Sequence, residues 1–225
     1  MKAAAKAKQR LTLLVARHAE SCHNDANRIQ GHCDSDLTPR GKRQAELLAR
    51  RIAELEITRL YSSDLGRTMA TSRFISERIE EPIIGMRNLR EIGLGTWEGL
   101  TPQEVNERFK NGYNTWRKAP SKMRIPGAEP ILKFHSRVRR AFEEIVKKER
   151  IGTVLVMTHG GVIASLLTHW MKADFDTILL NLRIENTSVT AFECAGGRTT
   201  IHAINDVSHL KDEKTHELQK FAQRS

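Results

Sequence analysis

An α/β fold, with a mostly parallel central sheet sandwiched between two helical layers, is predicted by three features of the sequence. Short apolar runs such as Leu13-Leu14-Val15-Ala16 and Thr153-Val154-Leu155-Val156-Met157 have the length and composition of buried strands, and each stops abruptly at polar residues. Between such runs lie stretches with apolar residues at steps of three and four, the stripe of a core-facing helix. The two signals alternate along the chain, an order that gives parallel strands joined by crossover helices. The 225 residues suit one domain with a sizeable insertion.

In chain order, Met1 to Arg10 is rich in Ala and Lys and lacks the apolar centre of a signal peptide, so residues 1–10 read as a basic tail. The first strand ends at Arg17-His18, and a loop without hydrophobic period runs to about Leu37. Thr38-Pro39 places an N-cap before a proline at the first helical position, and Ala45, Leu48, Ile52 and Leu55 form the buried stripe of the helix that follows. Ile57 to Ser62 is a second strand. It leads through Ser62-Ser63-Asp64-Leu65-Gly66-Arg67-Thr68 into a helix reaching about Ile79, with Asp64 as its cap. Pro82-Ile83-Ile84 is a short edge strand, and the Gly-rich stretch from Asn88 to Gly99 is a structured loop. Thr101-Pro102-Gln103-Glu104 is a capping box that opens a further helix.

Residues 111–130 hold Gly112, Pro120, Pro126, Gly127 and Pro130 with no sustained period, which predicts a lid-like insertion. Helical spacing returns at Ile131, Phe134, Val138, Ala141 and Ile145. The strand Thr153–Met157 then runs into Thr158-His159-Gly160-Gly161 and a helix over Val162 to Met171. Thr187 to Phe192 and Thr199 to Ala203 pair as a hairpin through Ala195-Gly196-Gly197. The domain is thus expected over 11–207, with 208–225 a polar tail or surface helix.

Composition narrows the function. A net charge of +10 favours anionic partners: phosphorylated metabolites, nucleic acid or a membrane surface. Aromatic residues make up only 5% and no nucleic-acid-binding motif occurs, so no nucleic-acid partner is expected. No apolar run approaches the roughly 20 residues of a membrane span, so no membrane partner is expected either. Three cysteines, Cys22, Cys33 and Cys194, without a C-x-x-C, point to a reducing compartment and a cytoplasmic location. Nine histidines raise the question of a metal, but neither H-E-x-x-H nor a Cys/His zinc spacing is present, and no metal is expected.

Three strands end in groups suited to phosphate chemistry: Arg17-His18, Ser62 through Arg67, and His159-Gly160. A parallel sheet gathers such ends along one edge, where α/β folds bind ligands. Arginine offers a fixed fork for an oxyanion, and neutral histidine offers a nitrogen that can attack phosphorus and split one hard step into two. A Thr-His-Gly-Gly turn entering a helix suits anions in its own right.

The residues that carry these groups also resemble a known family. Arg17-His18-Ala19-Glu20-Ser21, with Asn24 three residues on, is similar to the R-H-G-E-T-x-x-N signature of the histidine phosphatase superfamily, which includes the cofactor-dependent phosphoglycerate mutases. Four further blocks follow in the family's order: Gln30-Gly31 through Leu37-Thr38 and Gly41; Ser62 to Thr68; Leu89 to Gly99; and Thr158 to Val162. Ala19 and Ser21 replace the commoner Gly and Thr, and neither change removes a reactive group.

The resemblance implies a phosphoglycerate mutase-like sandwich and a phosphatase acting on small phosphorylated substrates without cofactor or metal. It implies His18 as nucleophile, Arg17 and Arg67 as clamps on the phosphoryl oxygens, His159 as a third donor, and Glu91 as general acid and base. Glu98, in the same loop, is the competing carboxylate. Asn24, Gln30, Gly31 and Gly160 are implied as substrate contacts. Glu91-Ile92-Gly93 resembles the phosphatase branches more than the E-R-H-Y-G segment of the mutases. A mutase using the same residues is the alternative, a non-catalytic phospho-ligand or nucleic-acid binder a remote one, and a homodimer is left open. The basic residues Arg117, Lys118, Lys122 and Arg124 in the lid suggest substrates with more than one phosphate.

Overall fold

The computed structural model describes residues 10–210; residues 1–9 and 211–225, which hold most of the two expected tails, lie outside the described residues. Six strands form one sheet in the order β3-β2-β4-β1-β5-β6. They are β1 (Arg10–Arg17), β2 (Ile57–Ser62), β3 (Ile83–Gly85), β4 (Gly152–Thr158), β5 (Val189–Ala195) and β6 (Arg198–Asp206). The first four run parallel, and β5–β6 is an antiparallel hairpin closing one side, as its two-glycine turn predicts. Arg10, assigned to the tail by composition, is instead the first residue of β1 and faces Ala195 across the ladder.

Strand periodicity builds the two helical layers. On β1 and β4, Leu11, Leu13, Val15, Val154 and Val156 face one way, and Leu14, Ala16, Leu155 and Met157 the other. The first set packs against Phe134, Val138 and Ile145 of α6 (Ile131–Glu149) and Val162 and Leu166 of α7 (Gly160–Met171). The second set packs against Leu48 and Ile52 of α2 (Pro39–Ile52) and Ile75 of α3 (Gly66–Ile79). Each such side chain fully removed from water contributes about 1.5–3 kcal/mol before chain entropy is charged against it. A strand apolar on both faces can therefore sit only at the centre, which is where β1 and β4 lie.

The capping signals hold. The Thr38 side chain accepts from the Gly41 amide at 2.9 Å and starts α2. Thr101 and Glu104 form the reciprocal box at the head of α4 (Pro102–Arg108). The α2 stripe is shorter than its spacing suggests, because the helix ends at Ile52 and Leu55 is 43% exposed. Three short helices escape periodicity: α1 (Cys22–Asp25), α5 (Gly112–Trp116) and α8 (Phe175–Asn181). Each spans less than two and a half turns, too short for a stripe to emerge. Within 111–130, α5 is followed by a 3₁₀ turn at Pro120–Lys122, so the insertion is a folded cover.

Register fixes where the strand ends meet. Arg17 is opposite Thr158 in the β1–β4 ladder, and Ser62 is opposite Met157 in the β2–β4 ladder. The next residues are stitched in turn: the His18 amide donates to the Thr158 carbonyl and the Ser63 amide to the Met157 carbonyl, both at 2.9 Å. β1 and β4 send their following helices to opposite faces, which makes this edge the switch point of the sheet.

Candidate active site

His18 leaves β1 at the sheet edge with only 2% of its surface exposed. Its Nδ1 lies 2.7 Å from the Ala19 carbonyl oxygen, and Nε2 is 3.3 Å from Nε of Arg67. A carbonyl only accepts and a guanidinium only donates, so the proton sits on Nδ1 and Nε2 turns its lone pair to Arg67. Burial holds the His18 pKa well below 6.5, and the neighbouring Arg67 and Arg17 push it further down. The ring is thus neutral and held in one tautomer.

Arg67 lies on the first turn of α3 and is 1% exposed, so its whole fork is set by the protein. Nη2 donates to the Gly31 carbonyl at 2.8 Å and to Nδ1 of His159 at 3.2 Å. Nη1 donates to the Cys33 carbonyl at 3.1 Å and to Oδ1 of Asp34 at 3.0 Å. The Asp34 carboxylate also accepts from the Gly66 and Arg67 amides, capping α3 from across the chain. The cap expected at Asp64 is therefore supplied by Asp34. Asp64 instead forms a bidentate pair with Arg90 at 2.6 and 2.7 Å, and its pKa is lowered by that hydrogen bonding. Asp64 carries the shorter sequence separation, but the turn aims it away from the helix axis toward Arg90.

Arg17 donates from Nη1 to the Ile184 carbonyl at 2.5 Å, while its buried Nε has no partner among the described residues. Burial lowers its pKa, opposed most strongly by Glu91. A buried N–H without a protein acceptor, beside His18, can donate to an anion. Glu91, in the loop before α4, is held by two amides: Ile92 N–H to Oε1 at 2.9 Å and Gly161 N–H to Oε2 at 3.0 Å. Glu98 does not compete, because its Oε1 accepts from the His32 and Leu94 amides at 2.9 and 2.8 Å and ties two loops together.

His159 stands behind Arg67 and does not border the cavity. Its Nδ1 accepts from Arg67, its Nε2 is 2.8 Å from the Ser63 hydroxyl, and its ring centroid is 5.2 Å from that of His18. Burial, followed by the charge of Arg67, keeps its pKa well below 6.5. His159, expected from the resemblance to be a third donor, is here bonded to Arg67 and Ser63.

Arg17, His18, Arg67 and Glu91 share one cavity of about 430 Å³ with Asn24, Gln30, Gly31 and Gly161. Asn24 and Gln30 both bond the Ser21 hydroxyl, at 3.1 and 2.9 Å. Gly31 sits at φ +53, where a side chain would also strike Glu98. At the head of α7 it is Gly161, not Gly160, that lines the cavity, and a Cβ there would fall 2.3 Å from the Glu91 carboxylate.

Two supports were invisible to pattern reading. Thr187, expected to begin a strand, lies instead at φ +57, a strained conformation for a β-branched residue. From there its amide reaches the Arg17 and His18 carbonyls at 3.1 and 3.3 Å, and the neighbouring Asn186 amide side chain bonds the His18 carbonyl at 2.9 Å. Of the four basic lid residues, Arg124 alone borders the cavity among the described residues. Among the described residues, no group of three or more His, Cys, Asp or Glu is placed to hold a metal ion, and no helix is long and apolar enough to cross a membrane.

Comparison with known proteins gives the family. The profile of the histidine phosphatase superfamily (branch 1) matches residues 13–207. Phosphoserine phosphatase 1 of Hydrogenobacter thermophilus is 31% identical over 198 residues, covering 88% of this chain and 93% of that protein. Phosphoglycerate mutase-like protein 4 of Arabidopsis thaliana is 34% identical over 204 residues, 89% and 87% of the two chains. The solved structure of Bacillus stearothermophilus YhfR superposes with a TM-score of 0.85 at 32% identity, over 89% of this chain and 99% of its own. With five motif blocks converging on one cavity at the sheet edge, the chain belongs to branch 1 of the histidine phosphatase superfamily.

Proposed function

We propose that the protein is a cytoplasmic, metal-independent phosphatase of small phosphorylated metabolites, formed by a single domain over 11–207, that works through a phosphohistidine on His18. The observation that carries this reading is the fixed tautomer of His18: Nδ1–H is committed to the Ala19 carbonyl and Nε2 faces the guanidinium fork. The Nε2 lone pair attacks phosphorus, forming the N–P bond as the P–O ester bond breaks. Glu91 gives a proton to the leaving oxygen, then takes one from the water that attacks the phosphohistidine, and the N–P bond breaks to release phosphate. The Nε of Arg17 donates to the phosphoryl oxygens, and Arg67, whose N–H groups are bonded within the protein, stabilises them by its charge, which is most of what this transfer demands.

The second reading is a mutase with the same residues, favoured by the mutase-like relative. Hydrolysis of p-nitrophenyl phosphate in EDTA is expected for the wild type. His18→Ala should reduce it by about a thousandfold or more, since a covalent nucleophile is lost. Activity that survives this substitution, or that disappears with chelation, would remove the mechanism. Robust interconversion of phosphoglycerates with 2,3-bisphosphoglycerate present would replace the phosphatase with the mutase.

A further inference from the structure

Beyond the strand-end groups, the cavity wall is built by the lid insertion, the loop after Glu91, and α8. Trp97, Tyr113, Trp116, Met123, Ile125 and Phe175 all face it. Tyr113 and Trp116, three residues apart on one face of α5, are stacked with ring centroids 5.4 Å apart and planes at 23°. Trp97 is 2% exposed and wedged against Gly112, where a Cβ would lie 2.9 Å from its ring, and against Phe109 at 6.3 Å. The wall is therefore set by packing before any ligand arrives.

Two of the charged residues that reach this part of the cavity are already paired. Arg28 donates to the Gly99 carbonyl at 2.6 Å and to Glu104 at 3.1 Å. Both oxygens of Glu129 are held by Arg137 at 2.7 Å. The charge of each is thus already balanced by an internal partner. Arg124 also borders the cavity, but as a solvent-exposed side chain. A volume of about 430 Å³ lies in the range of sites for drug-sized ligands. A phosphate on a three-carbon polar skeleton would leave the aromatic wall facing water.

We infer that the organic group carried by the phosphate is apolar, so that the preferred substrates are phosphomonoesters of hydrophobic alcohols or phenols; this rests on the phosphatase reading of the same site. Trp116 and Tyr113 then act as specificity residues that take up the leaving group while the strand ends take the phosphate.

Linear alkyl phosphates from ethyl to octyl test this, because their leaving alcohols are alike in basicity and differ in apolar surface. Each buried methylene should raise kcat/KM by about three- to fourfold until the chain fills the cavity. The longer esters should exceed phosphoserine and glycerol phosphate measured alongside. Trp116→Ala should lower the hexyl-to-ethyl ratio of kcat/KM at least tenfold, and Trp116→Phe should retain most of it. The matching alkylphosphonates, which are not hydrolysed, are titrated by tryptophan fluorescence and should bind more tightly with length. Hydrolysis that is flat or falling with chain length, or that favours phosphoserine, overturns the substrate class and leaves the phosphatase standing. No phosphate release from any ester sinks the phosphatase instead, and the phosphonate series then decides the cavity's preference: rising affinity supports it, a flat series overturns it.

Discussion

The two halves of the cavity are made in different ways. Its strand-end half is polar, nearly inaccessible to solvent and densely cross-linked: Arg67 alone bonds Gly31, Cys33, Asp34, His159 and His18. Its outer half is apolar and comes from short helices and turns attached to the sheet at a few points. Two backbone bonds tie the lid to the loop after Glu91, Thr96 N–H to the Pro126 carbonyl at 3.0 Å and Glu129 N–H to the Gly93 carbonyl at 2.8 Å. Ser121 ties it to Asp176 on α8. The contrast separates the demands of the reaction. Phosphoryl transfer needs donors placed to within a fraction of an ångström, which a hydrogen-bonded strand edge supplies. Choosing a leaving group needs shape and apolar area, which an insertion can alter without disturbing the floor.

If that division is right, the largest effects belong to small changes on the floor. Gly161→Ala places a Cβ 2.3 Å from the Glu91 carboxylate, a flexible end that will swing away and leave the helix intact. The expected outcome is a fall in kcat of about a hundredfold, the usual worth of a positioned general acid, with little change in urea midpoint. An equal loss of stability would mean that the glycine serves the fold and not the carboxylate.

A second comparison sets Asp34 against Asp64. Asp34→Ala removes both the α3 cap and an anchor of Arg67, and is expected to lower kcat/KM about tenfold and stability by about 1 kcal/mol. The figure is kept low because a third of the Asp34 side chain remains in solvent. Asp64→Ala, which breaks only the exposed pair with Arg90, should change activity less than twofold.

Acid stability probes the floor as a whole. His18, His159 and His209 all have folded pKa values lowered by burial, the last to about 4. Below about pH 6.5 the unfolded chain takes up protons that the folded one refuses, so the unfolded state gains and stability falls as pH falls. Each such group costs up to about 1.4 kcal/mol per pH unit between its folded and unfolded values. Denaturation midpoints between pH 7.5 and pH 4.5 should show that decline, and His209→Gln should make it shallower.

How much of this was legible in the sequence follows the same boundary. β1 and β4 are apolar on both faces, so they announce themselves as runs, and Arg17, His18 and Glu91 sit in compact motif blocks. Thr38 and Thr101 declare their helices because a cap and its helix are neighbours in sequence. Asp34 could not be found that way, since it caps a helix that begins 32 residues later through a contact only the tertiary fold creates. Thr187 misled because β-branched residues favour strands, and its left-handed backbone is imposed by the carbonyls of Arg17 and His18 that it must reach. Lys118 and Lys122 misled because composition counts charges without saying which way a lid faces. The face turned to the cavity belongs to Tyr113 and Trp116, whose helix is too short to show a stripe.

A small effect, of a few fold, tests the lid attachment itself. The Ser121 amide and hydroxyl each donate to one oxygen of Asp176, both at 2.8 Å, across the gap between the lid and α8. Asp176→Asn keeps the shape and removes the charge that strengthens both bonds. If the lid serves the leaving group and not the phosphate, KM for a long alkyl phosphate should rise about threefold, while kcat and inhibition by free phosphate stay within a factor of two. The direction matters more than the size: a fall in kcat with KM unchanged would show that lid closure shapes the catalytic floor after all, and the separation between the two halves of the cavity would then have to be given up.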